Sequence, residues 1–170
     1  MKMGPLALPL GDPAGVGPEI VVKAWRALRE TGPAFFVVGD AQSLASAPTA
    51  TAAMVRAIGS PYDTNAAFGE AIPVLDLPLR GPVIAGQPTS AAAPSIIQWI
   101  ETAVGLALSG TVSGVVTAPI AKAPLYEAGF KFPGHTEFLG ELTAAASYDG
   151  ARGPIMMLAA ADLKVTLVTV

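Results

Sequence analysis

A single histidine limits the acid–base and metal chemistry open to this chain. It stands in Gly134-His135-Thr136-Glu137, where an imidazole, a hydroxyl and a carboxylate follow a glycine. That order predicts the start of a helix, where free N–H groups and the dipole favour a negative ligand such as phosphate or carboxylate. The alternative for a lone histidine is a structural hydrogen bond. One imidazole cannot supply the three protein ligands of a usual catalytic zinc site, and no spacing of the other residues assembles a metal site. No serine occupies a Gly-x-Ser-x-Gly elbow, so Ser-His-Asp hydrolysis has no candidate nucleophile.

Two further segments carry chemistry-capable residues. Gly11-Asp12-Pro13-Ala14-Gly15-Val16-Gly17-Pro18-Glu19 is a Gly-x-x-x-Gly-x-Gly loop. It matches neither the dinucleotide fingerprint nor the phosphate-loop pattern. Its N–H groups can hold an anion at a helix N-terminus, or its glycines can simply let strand and helix pack closely. Asp12 is placed to cap the helix or orient a partner. Val116-Thr117-Ala118-Pro119-Ile120-Ala121-Lys122 ends a strand, the position at which open α/β sheets bind ligands. Lys122 can meet a carboxylate or phosphate as a point charge, or remain a solvated lysine on a short helix.

The elements that must position these residues are legible from periodicity. Leu6–Leu10 reads as a buried strand, and Pro18 opens a helix with Ile20, Val21, Ala24, Trp25 and Leu28 on one face, ended by Gly32-Pro33. Ala34–Val38 is the next strand, Asp40 caps a helix from Ala41, and 46–51 is a loop. Ile72–Leu77 is a strand, followed by a long connection to Pro94 whose conformation is not readable. Ile96, Ile97, Ile100, Ala103, Val104, Ala107 and Leu108 mark an amphipathic helix ended by Gly110. Gly114–Thr117 is a strand, and helices are expected over Pro124–Ala128 and from Thr136 to about Ala146. Ile155–Ala159 and Lys164–Val170 read as two strands joined at Ala161-Asp162. Strands alternating with helices predict an α/β fold, a doubly wound and mostly parallel sheet with an antiparallel pair at its end.

Composition narrows the function classes. The 170 residues suffice for one sizeable core, and net charge is −3 with scattered Lys and Arg, so no basic footprint for nucleic acid exists. With no cysteine there is no disulfide, thiolate nucleophile or cysteine-held metal. No run reaches the roughly 18 apolar residues of a membrane span and no signal peptide is present, so a cytoplasmic protein without nucleic-acid or membrane partners is expected. Charged residues make up only 14% against 52% apolar. Either a dimer interface covers the excess, or alanine inflates the apolar count. The chain stops on an apolar strand, so it is expected either to be a fragment of a longer protein or to pair its last strand outside this sequence.

Taken together, the segments Gly11–Ile20, Val116–Lys122 and Phe132-Pro133-Gly134-His135-Thr136-Glu137-Phe138-Leu139, with Met156–Ala159 and Asp162–Val165, strongly resemble the 4-hydroxythreonine-4-phosphate dehydrogenase family of vitamin B6 biosynthesis. The likeness covers nearly the whole chain. It implies a fold like that of isocitrate and isopropylmalate dehydrogenases, and an NAD-dependent oxidation of a secondary alcohol on a small phosphorylated substrate, followed by decarboxylation. It also implies a homodimer with its site near the interface, and a divalent metal (zinc, magnesium or cobalt) acting as a Lewis acid. By the same likeness His135 and Thr136 contact substrate, and Lys122 does so less securely.

Two departures stand out. Ala121 occupies a position where the family usually has Asn. Family chains are about twice as long, and their three metal-binding histidines and cofactor contacts lie beyond the point matching Val170. Residues 1–170 are therefore expected to be the N-terminal part of a larger two-lobed dehydrogenase, with no internal boundary marked. Such a chain carries no metal or cofactor ligands of its own and is inactive alone. The alternatives are a related dehydrogenase acting on a phosphorylated four-carbon sugar acid or a dihydrodiol dicarboxylate, and a non-catalytic anion-binding or assembly module.

Overall fold

The computed structural model describes residues 4–147, 149 and 153–167. They form two compact units, divided between Lys131 and Phe132.

The first unit is built on β1 (Leu6–Pro9), β2 (Phe35–Gly39), β3 (Val55–Ile58), β4 (Ile72–Asp76) and β5 (Gly114–Val115), in the order β3-β4-β2-β1-β5. All four pairings are parallel. Every residue of β2 is buried, as expected for a central strand covered on both faces. Interleaved are α1 (Gly17–Leu28), α2 (Ala41–Ala45), α3 (Thr64–Ala67), α4 (Ala93–Leu108) and α5 (Lys122–Glu127). The chain steps one way along the sheet from β1 to β3 and back the other way to β5. Parallel crossovers are right-handed, so connections running in opposite directions lay their helices on opposite faces. This is the doubly wound arrangement that the alternating pattern predicts.

α4 is the principal core helix. Ile96, Trp99, Ile100, Ala103 and Val104 are buried, and the helix packs on β1, β2 and β5. Trp99, absent from the predicted stripe, takes the place expected of Ile97, because its indole N–H donates to the Leu77 carbonyl at 3.0 Å. Leu108 is exposed. Ser90–Leu108, though interrupted by Ser95, Gln98, Glu101 and Thr102, has a mean hydropathy of 1.3 and is long and apolar enough to cross a membrane by length and composition alone. Its packing against the sheet is that of a core helix. The face of α1 is also rotated from its predicted position. Val21, Val22 and Trp25 are buried while Ile20 is exposed, and Trp25 donates its indole N–H to the Phe68 carbonyl at 2.7 Å.

β3 is a strand that periodicity does not reveal. It is a sheet edge with Arg56 exposed, so its apolar signal is weak. The connection from Leu77 to Pro94 also resolves: Leu77 N–H donates to Gly39, Leu79 N–H to the Asp40 carboxylate, and Gly86 N–H to Ala14 at 2.7 Å. Its partners lie far off in sequence, which is why local pattern does not predict it.

In the second unit, α6 (His135–Leu142) starts one residue before its predicted position and ends four residues early. The Thr143 hydroxyl donates to the carbonyls of Leu139 and Gly140, a side-chain alternative to further helix. β6 (Met157–Ala160) and β7 (Leu163–Thr166) pair antiparallel, and Ala161 takes a positive φ of 46° in the turn between them. Of the predicted final strand, residues 168–170 lie outside the described residues.

Candidate functional site

The first and second motifs leave the sheet side by side. β1 and β5 are neighbours in parallel register, Leu6 opposite Gly114 and Ala7 opposite Val115. The chain continues from their carboxyl ends into the Gly11–Gly17 loop and into Val116–Lys122. Both loops thus lie at the carboxyl ends of neighbouring parallel strands, the end at which open α/β sheets bind ligands.

The two loops are tied directly to each other. Asp12 N–H donates to the Pro119 carbonyl at 3.0 Å. Gly11 has φ +74°, and a Cβ there would lie 2.4 Å from the Pro119 oxygen. A Cβ at Gly17 would lie 2.5 Å from the Leu10 oxygen. In a phosphate-cradling loop the space left by a missing Cβ admits the ligand. At Gly11 and Gly17 the protein's own carbonyls fill that space, as the packing-turn reading of the first motif requires of those two positions. Asp12 is only 3% exposed, and its carboxylate accepts the Ala14 N–H at 2.9 Å, an Asx turn that shapes the loop rather than a helix cap.

Lys122 is the first residue of α5. It is exposed, and among the described residues no carboxylate lies within ion-pair distance of it. Ala121, the N-cap, makes no side-chain cap. Beside the first loop lies a cavity of about 300 Å³, lined by Pro13, Glu19, Asp40, Gln42 and Ser43 with the Leu79–Ala85 segment. The Asp40 carboxylate is committed to Ser43 N–H, capping α2, and to Leu79 N–H at 2.9 Å. Sequence reasoning identified the first of these roles. It missed the second, as well as the contact of Asp12 with Pro119, because both partners are distant along the chain.

In the second unit His135, Thr136 and Glu137 form the first turn of α6, after an extended Gly134 with no side-chain cap. Phe138 is buried and packs on Phe132, ring centroids 5.1 Å apart, which fixes how that turn is presented. Thr136 lines a largely apolar groove of about 790 Å³ with Leu139, Gly140, Thr143, Pro154 and Met156. His135 and Thr136 thus share one helical turn, whereas Lys122 belongs to the other unit.

Among the described residues no three His, Cys, Asp or Glu side chains gather to hold a metal ion.

The five-stranded parallel sheet of the first unit, with loops leaving the carboxyl ends of its strands, belongs to the class of open α/β folds that bind ligands at those ends. Residues 32–170 match the profile of the family described as pyridoxal phosphate biosynthetic protein PdxA, and the chain belongs to that family. It is 65% identical over 170 residues to the 4-hydroxythreonine-4-phosphate dehydrogenase of Caulobacter vibrioides, covering 100% of this chain and 50% of the relative. A solved structure of 4-hydroxythreonine-4-phosphate dehydrogenase from Klebsiella pneumoniae is 33% identical with a TM-score of 0.77, covering 97% of this chain and 49% of that one. A terephthalate 1,2-cis-dihydrodiol dehydrogenase structure from Burkholderia xenovorans is 25% identical with a TM-score of 0.59, over 82% and 41%. The chain spans about half the length of the curated relatives it matches.

Proposed function

We propose that this chain forms part of an NAD-dependent, metal-assisted dehydrogenase that oxidises and decarboxylates 4-hydroxythreonine 4-phosphate. In this reading it supplies substrate contacts, while NAD and the metal are held mainly by residues outside the chain. The observation that carries the reading is the 65% identity, across all 170 residues, to half of a relative of that name, with all three motifs present in this chain. His135 and Thr136 offer an imidazole and a hydroxyl in the first turn of a helix, at the positive end of its dipole, a combination suited to phosphate oxygens. Lys122 adds a positive charge that has no ion-pair partner among the described residues. The metal would act as Lewis acid on the hydroxyl being oxidised. The enzyme works as a cytoplasmic homodimer.

A dihydrodiol dicarboxylate is the second substrate class, favoured only by the weaker likeness to the Burkholderia xenovorans structure. The test joins this chain to the remaining half of the Caulobacter vibrioides relative and measures NADH formation with added divalent metal. Turnover of 4-hydroxythreonine 4-phosphate by the joined protein, and none by the 170-residue chain alone, is expected. Turnover of a dihydrodiol dicarboxylate instead would move the assignment to that class, and inactivity toward both would point to a non-catalytic binding module. In the joined protein His135→Ala should raise the KM for the phosphorylated substrate by about tenfold, the worth of one charge-assisted hydrogen bond, and leave NAD affinity unchanged.

A further inference from the structure

We propose that the first motif positions the second, with Gly11 and Asp12 acting as positioning residues for Lys122. The inference rests on the reading of Lys122 as a substrate contact and assigns the glycine-rich loop a role in that contact without touching the ligand.

Three observations carry it. Beyond β5 the chain is tied at Val116, whose N–H donates to Ala7 at 2.9 Å, and next at Pro119, whose carbonyl takes the Asp12 N–H. Pro119 is the last of these ties before Lys122. The preceding Ala118 is buried, its Cβ set against the bare α-carbon faces of Gly11 and Gly17, so the pair Ala118-Pro119 sits in a socket formed by the first loop. Finally, α5 has only six residues and no side-chain cap, too little to define its own start. The Asx turn of Asp12 holds the loop in the form that points its N–H at Pro119. The burial of Leu125 anchors the far part of α5, and the socket sets where the helix begins.

The test is a double-mutant cycle on the chain, read as the dissociation constant for 4-hydroxythreonine 4-phosphate, together with backbone hydrogen exchange. Lys122→Ala and Gly11→Ala should each weaken binding about tenfold. The double variant should bind no more weakly than Lys122→Ala alone, because Gly11 acts only through the lysine. Asp12→Ala should behave like Gly11→Ala and serves if that variant does not fold. Asp12→Asn, whose amide oxygen still accepts the Ala14 N–H, should retain wild-type affinity. Losses that multiply in the double variant overturn the proposal. Should Lys122→Ala leave affinity unchanged, or the chain bind no substrate, the reading of Lys122 fails. The positioning is then judged on exchange alone. Gly11→Ala must speed exchange at Ala128, Gly129 and Phe130, whose N–H groups donate to the α5 carbonyls of Pro124, Tyr126 and Leu125, while the amides of α4 stay protected; equal change at both, or none, overturns it.

Discussion

Lys122 and Ala121 show how one side chain separates a family pattern from its local execution. Ala121 caps α5 with φ −84° and ψ 115°, the extended geometry from which an Asn side chain can accept a first-turn N–H. Ala121→Asn should therefore stabilise the protein by about 1 kcal/mol, seen as a raised urea midpoint with unchanged m-value. No change in midpoint would mean that the start of α5 is held by its neighbours alone. The buried indole N–H groups of Trp25 and Trp99 make the same point within the core. Each reaches a carbonyl outside its own helix, and each thereby decides which residues of that helix face inward.

Among the elements, α4 joins sequence pattern to tertiary packing most directly. Ile100 is 1% exposed in the face that covers β1, β2 and β5. Ile100→Ala should cost about 2–5 kcal/mol through lost burial and the cavity left behind. Ile20 belongs to the predicted stripe of α1 but is 46% exposed, and Ile20→Ala should stay within about 0.5 kcal/mol of wild type. Denaturant titration of both variants checks the pair; comparable losses would mean that Ile20 is covered in solution. The socket joining the first and second motifs also belongs to this scale, since it requires β1 and β5 to be neighbours although they lie at opposite ends of the first unit's chain.

For the molecule as a whole, the two units differ in how their backbone hydrogen bonds are protected. β2 is buried throughout its length, whereas every residue of β6 and β7 is exposed. Two-stranded hairpins are marginal without a covering surface. Hydrogen exchange should therefore be slowest in β1, β2 and β4 and fast in β6 and β7. Slow exchange in the hairpin would show that its apolar residues, Met157, Leu158, Leu163 and Val165 among them, are covered in solution.

Sequence by itself determined the strand–helix alternation, the amphipathic helix ending at Gly110, the Asp40 cap and the placing of His135 and Thr136 in a helical first turn. Each of these is written in spacings of a few residues, where side-chain period and capping chemistry act locally. Tertiary structure alone decided that the first loop closes on Pro119, and that the connection after Leu77 is tied to Gly39, Asp40 and Ala14. It also decided that Val55–Ile58 adds an edge strand and that the chain divides after Lys131. The reason is one of range. A glycine pattern is the same whether its open face meets a phosphate or a carbonyl contributed from 108 residues away, between Gly11 and Pro119, and only the folded chain brings one of them there.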